Sequence, residues 1–293
     1  MAGKLGRLPP HPESTHPRLK LGRYLTSALP EPPVSVDWYS QVTDWPMYGN
    51  DDWGDCVLAA IGHEIESRTH YGQGQTVEIP PQAVLDAYTA VTGFDPDAGP
   101  PGQNPTDRGT NMQDALGYWR HTGVGGHTIL VFAQVDEENQ IRQAVNLFGA
   151  VGLGITVTRD MMDDFDAGKP WTRASGQRLG GHAVPAVGYD DQYVYVVSWA
   201  RIQPMTWACF RQCVEECWCS VTRDWLDSSG QDPQGLDLAK LGDDFTNLTG
   251  QPAPVPQPTP TPTPPPDPKP GGCLPVVSLG LTAVARRLAR KAH

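Results

Sequence analysis

The chain has no apolar run approaching the ~18 residues that a membrane span requires. Its opening stretch, MAGKLGRLPPHPESTHPRLKLGRYL, is basic in places but lacks the continuous apolar core of a secretory signal. A protein of the cytoplasm, or one carried in a phage particle, is expected on that basis. Basic residues are scarce. The 22 Lys and Arg are outnumbered by 33 Asp and Glu, giving a net charge of −11 and a pI near 5.1. Phosphate binding needs a basic face, so nucleic acid is excluded as the main partner. Cysteine is also sparse. Six in 293 residues cannot form the dense framework that staples small secreted domains. What is plentiful is Gly (31), Pro (30) and, among the basic residues, Arg. That bias fits a GC-rich genome, such as that of an actinobacterium or its phage.

Hydrophobic residues make up 39% of the chain and are well spread, enough to bury a sizeable core. Residues 1–34 are Pro-rich and poorly periodic, and read as an arm laid over a domain surface. A globular domain is expected over residues 35–250. The stretch 251–272, QPAPVPQPTPTPTPPPDPKPGG, is a Pro/Thr linker; Pro lacks an N–H and presets φ, which favours an extended polyproline rod. Residues 273–293 run from apolar to basic, with Arg286, Arg287, Arg290 and Lys291. Two readings of that tail stay open: an amphipathic helix that docks on a membrane surface or protein partner, and a solvated end.

Within the domain, residues 55–70 show helical periodicity, with Val57, Ala60, Ile61 and Ile65 three to four apart. A second helix is expected over 80–93, opened by Pro and closed by Gly. A third begins at Asn111 to Asp114, and a fourth is capped by Asp136 and runs through Phe148. Strands are expected at 127–135, 150–158, 182–190 and 193–199, the last two forming an antiparallel hairpin across Asp190-Asp191-Gln192. Helices come first and strands mostly second, which predicts an α+β fold with a helical half and a sheet half.

Cys56 stands where the first helical pattern begins. A helix N-terminus stabilises a thiolate through unpaired N–H groups and the helix dipole. The segments around it and around His182 carry a resemblance. Pro33-Val34-Ser35-Val36-Asp37-Trp38 is similar to the start of the mature papain-like cysteine peptidases, with Asp37 and Trp38 lying 19 and 18 residues before Cys56. Gly54-Asp55-Cys56 resembles the family's Gly-Ser-Cys. Gly181-His182-Ala183-Val184-Pro185-Ala186-Val187-Gly188-Tyr189 resembles its histidine segment, 126 residues on from the cysteine.

The resemblance implies a papain-like fold and a cysteine hydrolase acting on peptide or isopeptide bonds. Cys56 would be the nucleophile and His182 its base. Asn50, six residues before the cysteine, would be the oxyanion donor where the family has glutamine. No cofactor and no metal are implied, and the partner would be a peptide or protein, including a cell-wall peptide. The family's orienting asparagine is missing. Aligned on Trp199 its place falls on Val197; counted from His182 it falls on Ser198, which can still hydrogen-bond. A rival reading is a catalytically weak or inactive module of the same fold, associated with a phage particle or cell envelope. Acyl or amide transfer through the same thioester differs only in its acceptor. The arm is shorter than the inhibitory segments of many secreted relatives, which argues against that kind of zymogen control.

Other residues carry weaker signals. Cys209 and Cys213 would share a helix face over 206–215, and Cys217 and Cys219 a strand face over 217–222. Core packing is expected of them rather than zinc or pairing. His63 and His70 read as helix-face histidines and His127 as a structural one. Glu215 and Glu216 could pair with Arg211 or cap an element. Gly123 to Gly126 follow a helix and read as its stop, not as a phosphate loop.

Overall fold

The computed structural model describes residues 3–12, 20 and 31–233. The Pro/Thr linker, the basic tail and the last stretch of the expected domain lie outside the described residues. An antiparallel sheet carries the fold, with strands β1 (Val36–Asp37), β2 (Ile129–Gln134), β3 (Val151–Thr158), β4 (Arg178–Tyr189), β5 (Tyr193–Ser198), β6 (Arg201–Thr206) and β7 (Val214–Thr222). The spatial order is β2-β7-β3-β4-β5-β6, with β1 added beside β4. Helices α1 (Cys56–Gln73), α2 (Pro81–Thr92) and α3 (Met112–His121) precede it; α4 (Glu138–Phe148), α5 (Arg159–Asp166) and α6 (Trp207–Cys213) are interleaved with the strands. The expected order of helices then strands therefore holds only for the first half.

The helical boundaries follow their local chemistry. Asn111 caps α3 by accepting from the Gln113 amide at 2.9 Å. Pro81 opens α2, and Gly93 closes it in the left-handed conformation. Asp136 does not cap α4. The cap position belongs to Glu137, without a side-chain bond, and Asp136 pairs with Lys20 at 3.4 Å.

Helix α1 is not amphipathic: every residue from Cys56 to Thr69 is buried. A helix enclosed on all sides must neutralise its polar side chains internally. Arg68 does so with Glu64 at 3.1 Å, and also donates to the carbonyls of Phe148 and Ala150 and to Ser220 on β7. Glu66 accepts from Tyr48. One apolar cluster surrounds α1, α2 and α3, with Leu58, Ile65, Tyr88 and Trp119 at its heart. A second packs α4, α5 and α6 on the sheet around Leu153, Ile155 and Trp171.

The lead-in segment is tied to the central strand. Val36 and Asp37 pair with Tyr189 and Gly188, and Trp38 donates from its indole to the Val145 carbonyl at 3.0 Å. Gly188 leaves the necessary room, because a Cβ there would sit 2.6 Å from the Val36 carbonyl and 2.7 Å from the Tyr39 ring. This is a physical reason for glycine in the Val-Gly-Tyr motif.

Cys209, Cys213, Cys217 and Cys219 are free and buried in the sheet-side core. Burial pushes Cys217 and Cys219 up, and a hydrogen bond to Cys209 together with burial does the same for Cys213. Strand β7 begins at Val214, three residues earlier than its pattern suggests. His127 bonds Asp224 at 2.9 Å, a structural contact.

Candidate active site

Helix α1 abuts β4, and this contact brings the two marked segments together. Cys56 is the first residue of α1, and His182 lies within β4. Both line one small cavity of about 10 Å³, together with Asn50, His63, Ala183, Val197, Ser198 and Trp199. That is about the room one water needs. Cys56 and His182 are 1% and 2% exposed, so the pair is sealed.

The imidazole is held on two sides. Its Nε2 lies 3.1 Å from the Ser198 Oγ, and its ring stacks on the Trp199 indole, with centroids 4.3 Å apart and planes inclined by 16°. Nδ1 is buried with no hydrogen-bond partner. Of the two alternatives in the sequence, Ser198 is therefore the one that reaches the ring. Val197 also lines the cavity but offers no polar atom. Trp199 is set by a two-residue hairpin: Ser198 pairs with Arg201, and Trp199 and Ala200 both take positive φ, 43° and 63°. Such a turn needs left-handed backbone at both central positions. Alanine adopts it at a cost, a kind of strain that gathers at functional sites.

Electrostatics in this sealed state favour neutral groups. Burial pushes the Cys56 thiol up to about 12; the amides of Ala183 and Gly6 pull against it, and nearby Asp55 adds to it. Burial, with smaller contributions from His63 and Arg7, takes His182 down to about 3. Burial also lowers His63 to about 4, against the pull of its 2.7 Å bond to the Pro46 carbonyl. Desolvation disfavours the charged form in each case. Asp55 is buried beside Asn50, and burial raises its carboxyl well above the ordinary range. Among the described residues, no group of three or more His, Cys, Asp or Glu side chains is arranged to hold a metal ion.

Part of the arm, expected as a segment laid over the domain surface, lies against the site and buries Arg7 there. Residues 3–9 run through the cleft between α1 and β4. The Lys4 amide donates to the Asn50 carbonyl at 2.6 Å, Arg7 to the Gly181 carbonyl at 3.1 Å, and Leu8 to that of Thr110 at 2.9 Å. The approach is backbone to backbone, and a Cβ on Gly6 would overlap the Gly54 carbonyl. Asn50 is 3% exposed. Its amide nitrogen donates to the Trp53 carbonyl at 3.0 Å and to the Lys4 carbonyl at 3.3 Å. An arm carbonyl thus occupies the donor that the sequence singles out.

The arm also claims Glu215 and Glu216. They pair with Arg7, whereas Arg211 pairs with Glu138 at 2.7 Å. No sequence signal linked these carboxylates to a residue more than 200 positions away.

No protein-family model and no curated protein sequence matches this chain. Solved structures do. Xylellain, a cysteine protease from Xylella fastidiosa, aligns with a TM-score of 0.55 at 14% identity, over 75% of this chain and 97% of that one. The Carica candamarcensis cysteine protease CMS1MS2 aligns at 0.45 and 17% identity, over 64% and 98%. Procathepsin B S9 from Trypanosoma congolense aligns at 0.45 and 13%, over 74% and 86%. The chain has the papain-like fold, with its mixed helices and antiparallel sheet.

Proposed function

We propose that the protein is a cysteine hydrolase that cleaves peptide or isopeptide bonds through a thioester. Cys56 is the nucleophile. His182 receives the thiol proton at Nδ1 and returns it to the leaving amine. Ser198 holds the ring through Nε2. The amide of Asn50 and the backbone N–H of Cys56 donate to the tetrahedral oxyanion. The observation that carries this reading is that Cys56 and His182 line one cavity, with Nε2 committed to Ser198 and Nδ1 left without a partner. Xylellain, a cysteine protease that shares the fold, supports a peptide or protein substrate; a cell-wall peptide belongs to that class. Turnover requires the arm to leave the cleft, since its backbone fills the space a substrate would take.

A second reading has its own support. A thiol near 12 beside an imidazole near 3 is not an ion pair, as suits a binding or structural module of the same fold. Thiol reactivity separates the two. In the full chain, alkylation of Cys56 is expected to be slow at pH 7 and to climb about tenfold per pH unit towards high pH, because a raised pKa leaves little thiolate. In Gly6→Ala, whose new methyl group would overlap the Gly54 carbonyl and is expected to displace the arm, the hydrolase reading expects alkylation at least tenfold faster at pH 7. It also expects a plateau below the free-thiol value of about 8.5. Unchanged slow alkylation in an arm-released protein favours the module.

Ser198 is a positioning residue. Losing its hydrogen bond, worth about 1 kcal/mol, is expected to lower kcat roughly fivefold in Ser198→Ala with little change in KM. Ser198→Thr, which keeps the hydroxyl, should recover most of the rate. Equal losses in both variants would point to packing instead.

A further inference from the structure

The arm shows what one part of the cleft is built to hold. Arg7 enters a pocket in which its side chain is 0% exposed. One terminal nitrogen donates to Glu216 at 2.8 Å and to the Leu8 carbonyl at 3.3 Å; the other contacts Glu215. Glu216 is itself 0% exposed in its side chain, and its second oxygen accepts from the Trp218 indole at 2.7 Å. Glu215 is held by Thr156 and by Arg178 at 3.1 Å. Gly154 forms the floor, where a Cβ would lie 2.6 Å from the Glu216 side chain and 2.9 Å from the Arg7 stem.

The pocket opens beside the cavity. The Gly6 amide approaches the Cys56 sulfur, and Arg7 follows directly, its amide bound to the carbonyl of Gly181, the neighbour of His182. With the arm gone, two carboxylates would face one remaining cation, Arg178, whose side chain is 60% exposed. A buried carboxylate without a partner is costly, so the vacant pocket demands a cation.

From this we propose that the Glu215–Glu216 pocket is a substrate subsite, and that the hydrolase takes peptides bearing an arginine side chain within two residues of the bond it cleaves. Arg7 is its internal occupant. Guanidinium suits the site better than ammonium, because its planar fork can address both carboxylates at once. The substrate part of the proposal rests on the hydrolase reading above; the pocket does not.

The experiment compares two fluorescent hexapeptides that are identical except for arginine or its neutral isostere citrulline, binding to the full chain carrying Arg7→Ala and Cys56→Ala. The arginine peptide is expected to bind at least tenfold more tightly, and adding Glu216→Gln, which can still accept from Trp218, should abolish the preference. Equal binding of the two peptides, or a preference that survives Glu216→Gln, overturns the proposal. If Arg7→Ala does not fold, Gly6→Ala serves, or the wild-type chain, in which the arginine peptide alone should speed hydrogen exchange of residues 3–9. Cleavage is read separately, with Cys56 restored. Arginine-selective binding without cleavage of any peptide leaves the pocket standing and removes the hydrolase reading; cleavage without arginine preference does the reverse.

Discussion

Cys56→Ala is expected to lower peptide hydrolysis by about four orders of magnitude or more, the scale seen when an activated nucleophile is removed. The size of the effect follows from the composition of the cavity. Its other lining groups are Ala59, Ala60, Ala183, Val197, Met47, Trp199, two histidines, Asn50 and Ser198. Ser198 is the single hydroxyl among them, and it is engaged with Nε2 of His182, so it cannot replace the sulfur near Nδ1. The fold should survive, because deleting one sulfur from a small cavity costs about 1 kcal/mol. The measurement is hydrolysis of a quenched peptide by the arm-released Gly6→Ala protein with and without the second substitution, alongside their circular dichroism. Activity within tenfold of the parent would remove Cys56 from the chemistry.

Arg68→Leu is expected to destabilise the protein by about 3–5 kcal/mol, the cost of removing one partner from a buried ion pair. Arg68 is fully buried. It pairs with Glu64 one turn back on α1 and joins the helix to the carbonyls of Phe148, Ala150 and Ser220 and to the Ser220 hydroxyl. The substitution would leave Glu64, whose carboxyl burial already raises, without the cation that opposes that rise. It would also remove a donor from the carbonyls of Phe148, Ala150 and Ser220. Urea unfolding of the full chain reads the loss. Glu64→Gln in the same protein should restore part of it by removing the stranded charge, a coupling that a double-mutant cycle measures. Additive losses would mean that the pair contributes nothing beyond packing. The consequence for chemistry is direct: Arg68 lies on the helix that begins at Cys56, and its carbonyl and Ser220 contacts fix that helix against the sheet that carries His182.

Much of the site was legible in the sequence because its segments are local. A cysteine at a helix start, a His-Ala-Val strand and an Asp-Trp lead-in each carry their own pattern, and the fold brings the first two to one cavity. Ser198 emerged from counting on from His182 by the spacing that the family resemblance implies. The periodicity of Val57, Ala60, Ile61 and Ile65 placed helix α1 but could not show that it is enclosed on all sides, because the burial of Glu64, Glu66 and Arg68 depends on partners on other elements. Where the arm docks was not legible, for a related reason. Pro-rich sequence without periodicity says how a segment is shaped, not where it docks, and the pairing of Arg7 with Glu215 and Glu216 spans the chain. Of the helices interleaved with the strands, α4 and α6 were expected and α5 was not, since its eight residues leave little periodicity to read.

The turn at Trp199 and Ala200 sets a rule for how this region can vary. Strand side chains alternate between faces, so one extra residue at that tip would shift the register of the strands around it and swing the indole off the imidazole. Chain length between Ser198 and Arg201 is therefore fixed more tightly than residue identity. Glycine would relieve position 200, whereas a β-branched residue would deepen the strain. Loops far from this tip carry no such ruler, and insertions among relatives should gather there.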